Sequence, residues 1–96
     1  MNIGKMLNEK ELTINIEGRL DTVTSPQLEA ELDFKGVEKL VFNFDKLDYI
    51  SSAGLRLLLM AQKTMNKQGE MVITNVNETI MEVFEITGFC DILTIQ

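Results

Sequence analysis

Histidine and tryptophan are absent from these 96 residues, and cysteine, proline and tyrosine occur once each. Without histidine, no Ser–His or Cys–His nucleophile can be assembled, and a structural zinc site lacks half of its usual ligands. Cys90 alone cannot close an internal disulfide, so cysteine usage does not point to an oxidising compartment. It reads as a small packed hydrophobe. No apolar run approaches the ~20 residues of a membrane span. Residues 1–7 lack the long apolar segment of a signal peptide, so a cytoplasmic protein is expected. Cations are also few: nine Lys and Arg stand against fifteen Asp and Glu, a formal net charge of -6. That sign argues against nucleic acid or an anionic membrane surface as partner. Neither GxGxxG nor GxxxxGK[ST] occurs, so no glycine-rich loop cradles a phosphate. Asp21, Asp45 and Asp48 read as solvated loop acids rather than metal ligands. No catalytic group, metal or cofactor is expected, which leaves interaction as the function.

What is present suits one small α/β domain over residues 1–96. Apolar residues make up 45% of the chain and charged residues 25%, the balance of a globular protein. Residues 2–7 form a short edge strand, with a turn at 8–10. Leu12, Ile14 and Ile16 alternate with polar neighbours, the mark of a strand with one buried face, which Gly18 ends. A loop over 18–23 leads to Thr24-Ser25-Pro26, a helix start with a capping hydroxyl and a first-turn proline. Leu28 and Leu32 give that helix one apolar stripe. Residues 37–44 hold an apolar run at 40–42 that suits a central strand covered on both faces. Met71, Val72 and Ile73 make a further strand. Asn77 caps a helix whose Ile80, Val83, Phe84 and Thr87 follow the i, i+3, i+4, i+7 spacing, and Gly88 ends it. Ile92, Leu93 and Ile95 read as a last strand. The order β-β-α-β-α-β-α-β implies mostly parallel pairing with right-handed crossovers.

The stretch from Leu47 to Leu59 organises the rest. It leaves an apolar strand through Asp45 and Asp48 and launches a helix over about 52–67, with Leu57, Leu58, Ala61 and Met65 at helical spacing and Gly69 as a C-cap. Ser51 and Ser52 sit at the changeover, with Gly54 behind them. Serine is favoured at a helix start because its oxygen accepts from N–H groups that have no partner in the helix. The same place carries a partial positive charge that suits an anion. A hydroxyl there can cap the helix or receive a phosphate. Arg56 is the odd charge in the Leu run and points outward.

Three motifs resemble the STAS domain family, and within it the small stand-alone anti-sigma factor antagonists. Gly18-Arg19-Leu20-Asp21-Thr22 ahead of Ser25-Pro26-Gln27-Leu28 looks like the loop before the family's first helix. Asp48-Tyr49-Ile50-Ser51-Ser52-Ala53-Gly54-Leu55 looks like its phosphorylation-site loop. Ile86-Thr87-Gly88-Phe89, then Asp91-Ile92, looks like the end of its third helix. The resemblance implies a mixed sheet with helices on one side. It implies an anti-sigma factor partner, usually also a serine kinase, and a phosphatase that reverses the modification. The family's acceptor falls on Ser52; Ser51 is the lesser candidate, because it is also the better N-cap. Asp21, Thr22, Asp48, Ser51, Ser52, Ala53, Gly54 and Arg56 are the expected partner-binding positions. Ser51 stands where the best-studied members often carry Asp, and Ala53 where they often carry Ser or Thr. The alternative is a STAS module that is never phosphorylated, either a scaffold or a cytoplasmic subunit of a lipid-transport complex.

Overall fold

The strand built on Leu12, Ile14 and Ile16 is the one around which the sheet is laid. In the computed structural model, which describes all 96 residues, this strand is β2 (Glu11–Leu20), and every second side chain of its first half is buried. The edge strand β1 (Asn2–Asn8) pairs with it antiparallel across a turn in which Glu9 adopts φ 57°. β3 (Lys39–Asn43) runs parallel to Glu11–Asn15, and β5 (Glu70–Thr74) runs parallel to β3, giving the order β1-β2-β3-β5. The expected α/β class with a mixed sheet is thus present.

Gly18 does not end β2. It takes φ 102° and forms an irregularity in the pairing, and the strand runs on through Arg19 and Leu20. Those last residues pair in parallel with a short strand, β4 (Leu47–Ile50), where a loop was expected. β3 is central, yet its burial alternates: Leu40 and Phe42 are buried, while Val41 is only half-buried. The reason is that the core lies on one face of the sheet, and the strand is not covered on both.

That core is a single cluster of 22 buried side chains, to which α2 (Ser52–Met65) contributes Leu55, Leu57, Leu58, Ala61 and Met65. The helix is two residues shorter than its pattern suggested. Asn66 is its C-cap, and Gly69 serves instead as a point of close approach to the backbone of Glu38. α1 (Ser25–Glu29) is a single short helix against α2, with Leu28 buried. In α3 (Glu78–Thr87) the Asn77 side chain accepts from the Ile80 amide as expected, and Gly88 ends the helix in the left-handed region at φ 80°. The last expected strand does not form. Phe89–Asp91 make a 3-10 turn, and only Ile95 reaches the sheet, in one bridge to Ile73. No helix is long and apolar enough to cross a membrane.

Candidate functional site: the start of helix α2

Ser51 is the residue at which strand becomes helix. Its backbone is extended (φ -100°, ψ 177°), its amide donates to the Leu20 carbonyl at 2.9 Å, and its carbonyl accepts from the Leu55 amide at 2.9 Å. The first of these bonds sets the start of α2 against the end of β2. The Ser51 hydroxyl makes no cap hydrogen bond; its oxygen is buried without a partner. Ser52, the first helical residue, is exposed. Of the two hydroxyls, only that of Ser52 is presented to solvent by its position.

Gly54 explains how α2 can start so close to the sheet. It is buried, and a Cβ there would come within 2.8 Å of both Ile50 Cγ1 and Leu20 Cγ. Gly54 therefore serves the site through packing and offers no surface to a partner. Gly54→Ala is expected to cost about 1–3 kcal/mol, the usual range for overpacking a core. It should also lower partner affinity by displacing Ser52, whereas Ala53→Gly should leave the packing unaltered. Urea titrations of the two variants check this.

The turn before α1 forms the neighbouring wall. Asp21 Oδ1 accepts from the amides of Val23 and Thr24, both at 3.0 Å. Thr24 occupies the N-cap position, but its hydroxyl is used within the turn: it accepts from the Asp21 amide and donates to the Arg19 carbonyl. The expected capping hydroxyl thus does not cap α1; the Ser25 amide and the hydroxyl of buried Ser25 both donate to the Asp21 carbonyl, at 2.8 and 2.6 Å. The Thr24 amide, helped by the Val23 amide, the Thr24 hydroxyl and the Arg19 guanidinium, outweighs the opposing effect of burial and holds the Asp21 carboxyl below its ordinary value of 3.8. A depressed carboxyl contributes stability that is complete above the unfolded-state value and is lost as pH falls through the folded one. Melting curves through the acid range should therefore show a drop beginning near the ordinary value. Asp21→Asn, which keeps the acceptor and removes the charge, should flatten that drop.

Arg19 joins the two walls. Its Nε lies 3.6 Å from Asp21 Oδ2, and its guanidinium carbon lies 4.3 Å from the ring centroid of Tyr49. Arg19 and Tyr49 are register partners across β2 and β4. Neither was among the expected site residues, although both lie inside the motifs; the signal would have been their pairing, which needed β4 to be recognised. Thr22, Ala53 and Arg56 come together with Pro26 and Met60 in an open groove of about 350 Å³ between α1 and α2. Asp48 is exposed on β4, outside this groove. No three His, Cys, Asp or Glu side chains are gathered so as to hold a metal ion.

The model of the STAS domain matches residues 5–96. A protein of Bordetella bronchiseptica named as an anti-sigma factor antagonist, BtrV, is 40% identical over 84 residues, covering 83% of this chain and 72% of the relative. The anti-sigma-B factor antagonist of Staphylococcus aureus is 30% identical over 100 residues, covering 100% of this chain and 93% of the relative. Among solved structures, the anti-sigma factor antagonist SpoIIAA in its unphosphorylated form superposes with a TM-score of 0.77 at 20% identity, over 99% of this chain and 87% of that one. Phosphorylated SpoIIAA from Bacillus superposes at 0.76 and 23% identity, over 99% and 91%. At these identities the two structures speak to the fold.

Proposed function

Because this chain belongs to the STAS domain family, we propose that it is an anti-sigma factor antagonist, a regulatory binding protein rather than an enzyme, whose hold on its partner is released by phosphorylation of Ser52. The partner in this reading is an anti-sigma factor that is also a serine kinase; binding it frees a sigma factor, and a phosphatase restores the unmodified state. The observation that carries the reading is the contrast between the two serines: Ser52 is exposed on the first residue of α2, whereas the Ser51 oxygen is buried. The names of the relatives support the partner class.

The chemistry is asymmetric in a useful way. A phosphate adds about -1.5 to -2 charge. The helix terminus favours that charge by ~0.3–1 kcal/mol, so the fold survives. A partner packed on the same spot would instead have to desolvate an unpaired dianion. Incubation with the anti-sigma factor kinase and ATP, followed by intact-mass measurement and peptide mapping, tests the assignment. One phosphate on the wild type and none on Ser52→Ala is expected. No incorporation, or incorporation at Ser51, overturns it, and no incorporation would favour an unphosphorylated scaffold or transport subunit.

A further inference from the structure

The charge of this chain is not spread evenly. Residues 49–69 carry three cations, Arg56, Lys63 and Lys67, and no acid, so the remainder carries a formal -9. Positions 56, 60, 63 and 67 recur at spacings of four, three and four, which places them on one face of a helix. All four are exposed, and Met60 is 41% so. Ser52 stands one turn before Arg56 on the same line. At 1.5 Å per residue the line runs roughly 20 Å down α2 and its C-terminal turn.

None of the three cations is used within the molecule. The ion pairs occupy Lys5, Lys10, Arg19 and Lys39. Arg56, Lys63 and Lys67 instead border a groove floored by Leu59, Met60 and Thr64. Through Arg56 and Met60 it is continuous with the groove that contains Ala53. Through Met60 and Thr64 it opens towards Leu32 and Phe34. On the α1 side the walls hold Glu29, Asp33 and Lys35, so cations outnumber acids along the whole surface. A cationic, apolar-floored groove on an otherwise acidic protein is complementary to one kind of occupant.

We propose that the outer stripe of α2, from Arg56 through Met60 to Lys63 and Lys67, docks an acidic segment of the anti-sigma factor that carries apolar side chains for the floor. This rests on the switch reading above and extends it: the partner touches the molecule at Ser52 and also along the full length of α2. Opposite charges at a rim act mostly on association rate and its salt dependence, while the apolar floor holds the complex. Three cations on a chain of net -6 are a poor match for a polyanion such as a nucleic acid or an anionic bilayer.

The test titrates one purified anti-sigma factor, the kinase used above, against the full chain and its variants at low and high salt. The double charge reversal Lys63→Glu/Lys67→Glu should bind at least about tenfold more weakly with a flatter salt dependence, because each reversal adds like-charge contact. Glu82→Lys/Glu85→Lys, on exposed positions of α3, should bind within about twofold of wild type by the same rule, and both doubles should melt as the wild type does. If Lys63→Glu/Lys67→Glu binds as wild type while Ser52→Asp does not, the docking stripe is overturned and the switch stands. Weakening by Lys63→Glu/Lys67→Glu matched by an equal strengthening by Glu82→Lys/Glu85→Lys would mean that only net charge matters, and equal weakening by both would mean that the stripe is no more a contact than α3; either result also overturns it. If the wild type fails to bind at all, the switch reading falls and takes the stripe with it. Sedimentation of the wild type, but not the reversal, with phosphatidylglycerol vesicles would assign the stripe to lipid instead.

Discussion

Ser52→Asp is expected to bind the anti-sigma factor at least about a hundredfold more weakly than wild type, a loss of roughly 2.7 kcal/mol. Aspartate brings one full charge to an exposed position where the unmodified protein has none. If that position is covered in the complex, the carboxylate loses water and gains no opposite charge, and an unpaired buried ion costs several kcal/mol. Phosphoserine, with about twice the charge, should do more, so the aspartate variant gives a lower bound. The unbound protein should show the opposite tendency. An acid in the first turn interacts favourably with the helix terminus, so the melting temperature of Ser52→Asp should equal or slightly exceed that of wild type. Ser52→Ala should bind as wild type does. Equal affinity of the alanine and aspartate variants in a calorimetric titration would remove the basis for a switch at this residue.

Gly69→Ala is expected to destabilise the fold more than Gly54→Ala does, at about 3 kcal/mol or more. The residue has an ordinary negative φ, so backbone conformation is not the reason. A Cβ would overlap the Glu38 carbonyl oxygen and come within 2.6 Å of its carbon. Both are main-chain atoms in a fixed ladder: the Glu38 carbonyl accepts from the Glu70 amide at 3.0 Å, beside the Lys39–Glu70 register pair of β3 and β5. The turn is pinned on its other side as well, since Gln68 Nε2 donates to the carbonyls of Phe34 and Val37. No flexible side chain can step aside, so the turn or the strand pairing must move. A domain of this size should lose roughly 12 °C or more of melting temperature for such a change. Gly36→Ala provides the contrast. It has φ 78° but open space around it, so only the left-handed conformation is penalised, at ~1–2 kcal/mol. Thermal melts showing the two variants equally unstable would contradict the steric account.

Much of this architecture is legible in residue spacing. The alternation at Leu12, Ile14 and Ile16, the Leu-rich face of α2 and the Asn77-to-Gly88 frame of α3 each follow from one periodicity and its end signals. β4 was not legible, because four residues with a buried–exposed–exposed–buried pattern fit neither period. Its identity comes from its partner, the part of β2 beyond Gly18, and the irregularity there shifts the register. The missing last strand has a similar cause. Ile92, Leu93 and Ile95 have strand-like character, but Gly88 turns the chain into a 3-10 turn that leaves room for one bridge. At the site, the placement of two serines at a helix start was readable from local chemistry. The functions of Gly54 as a spacer and of the Asp21 carboxylate as the donor-satisfying group of the α1 turn were not. The first depends on the Leu20 side chain, which the fold brings against the start of α2; the second is a contact inside the turn itself, to the amides of Val23 and Thr24, and belongs to a turn type that the residue pattern alone does not single out.

Tyr49 sits under the Arg19 guanidinium, on the strand that leads to Ser52, and the chain contains no tryptophan and no second tyrosine. Excited at wavelengths longer than its five phenylalanines absorb, the free protein therefore emits from a single phenol within a few residues of the proposed contact surface. Anything that lifts the guanidinium from the ring, or shields the ring from water, should alter that light with no dye attached. The molecule has a built-in lamp where one would be most useful, and stopped-flow fluorescence could follow the arrival and departure of a partner in real time.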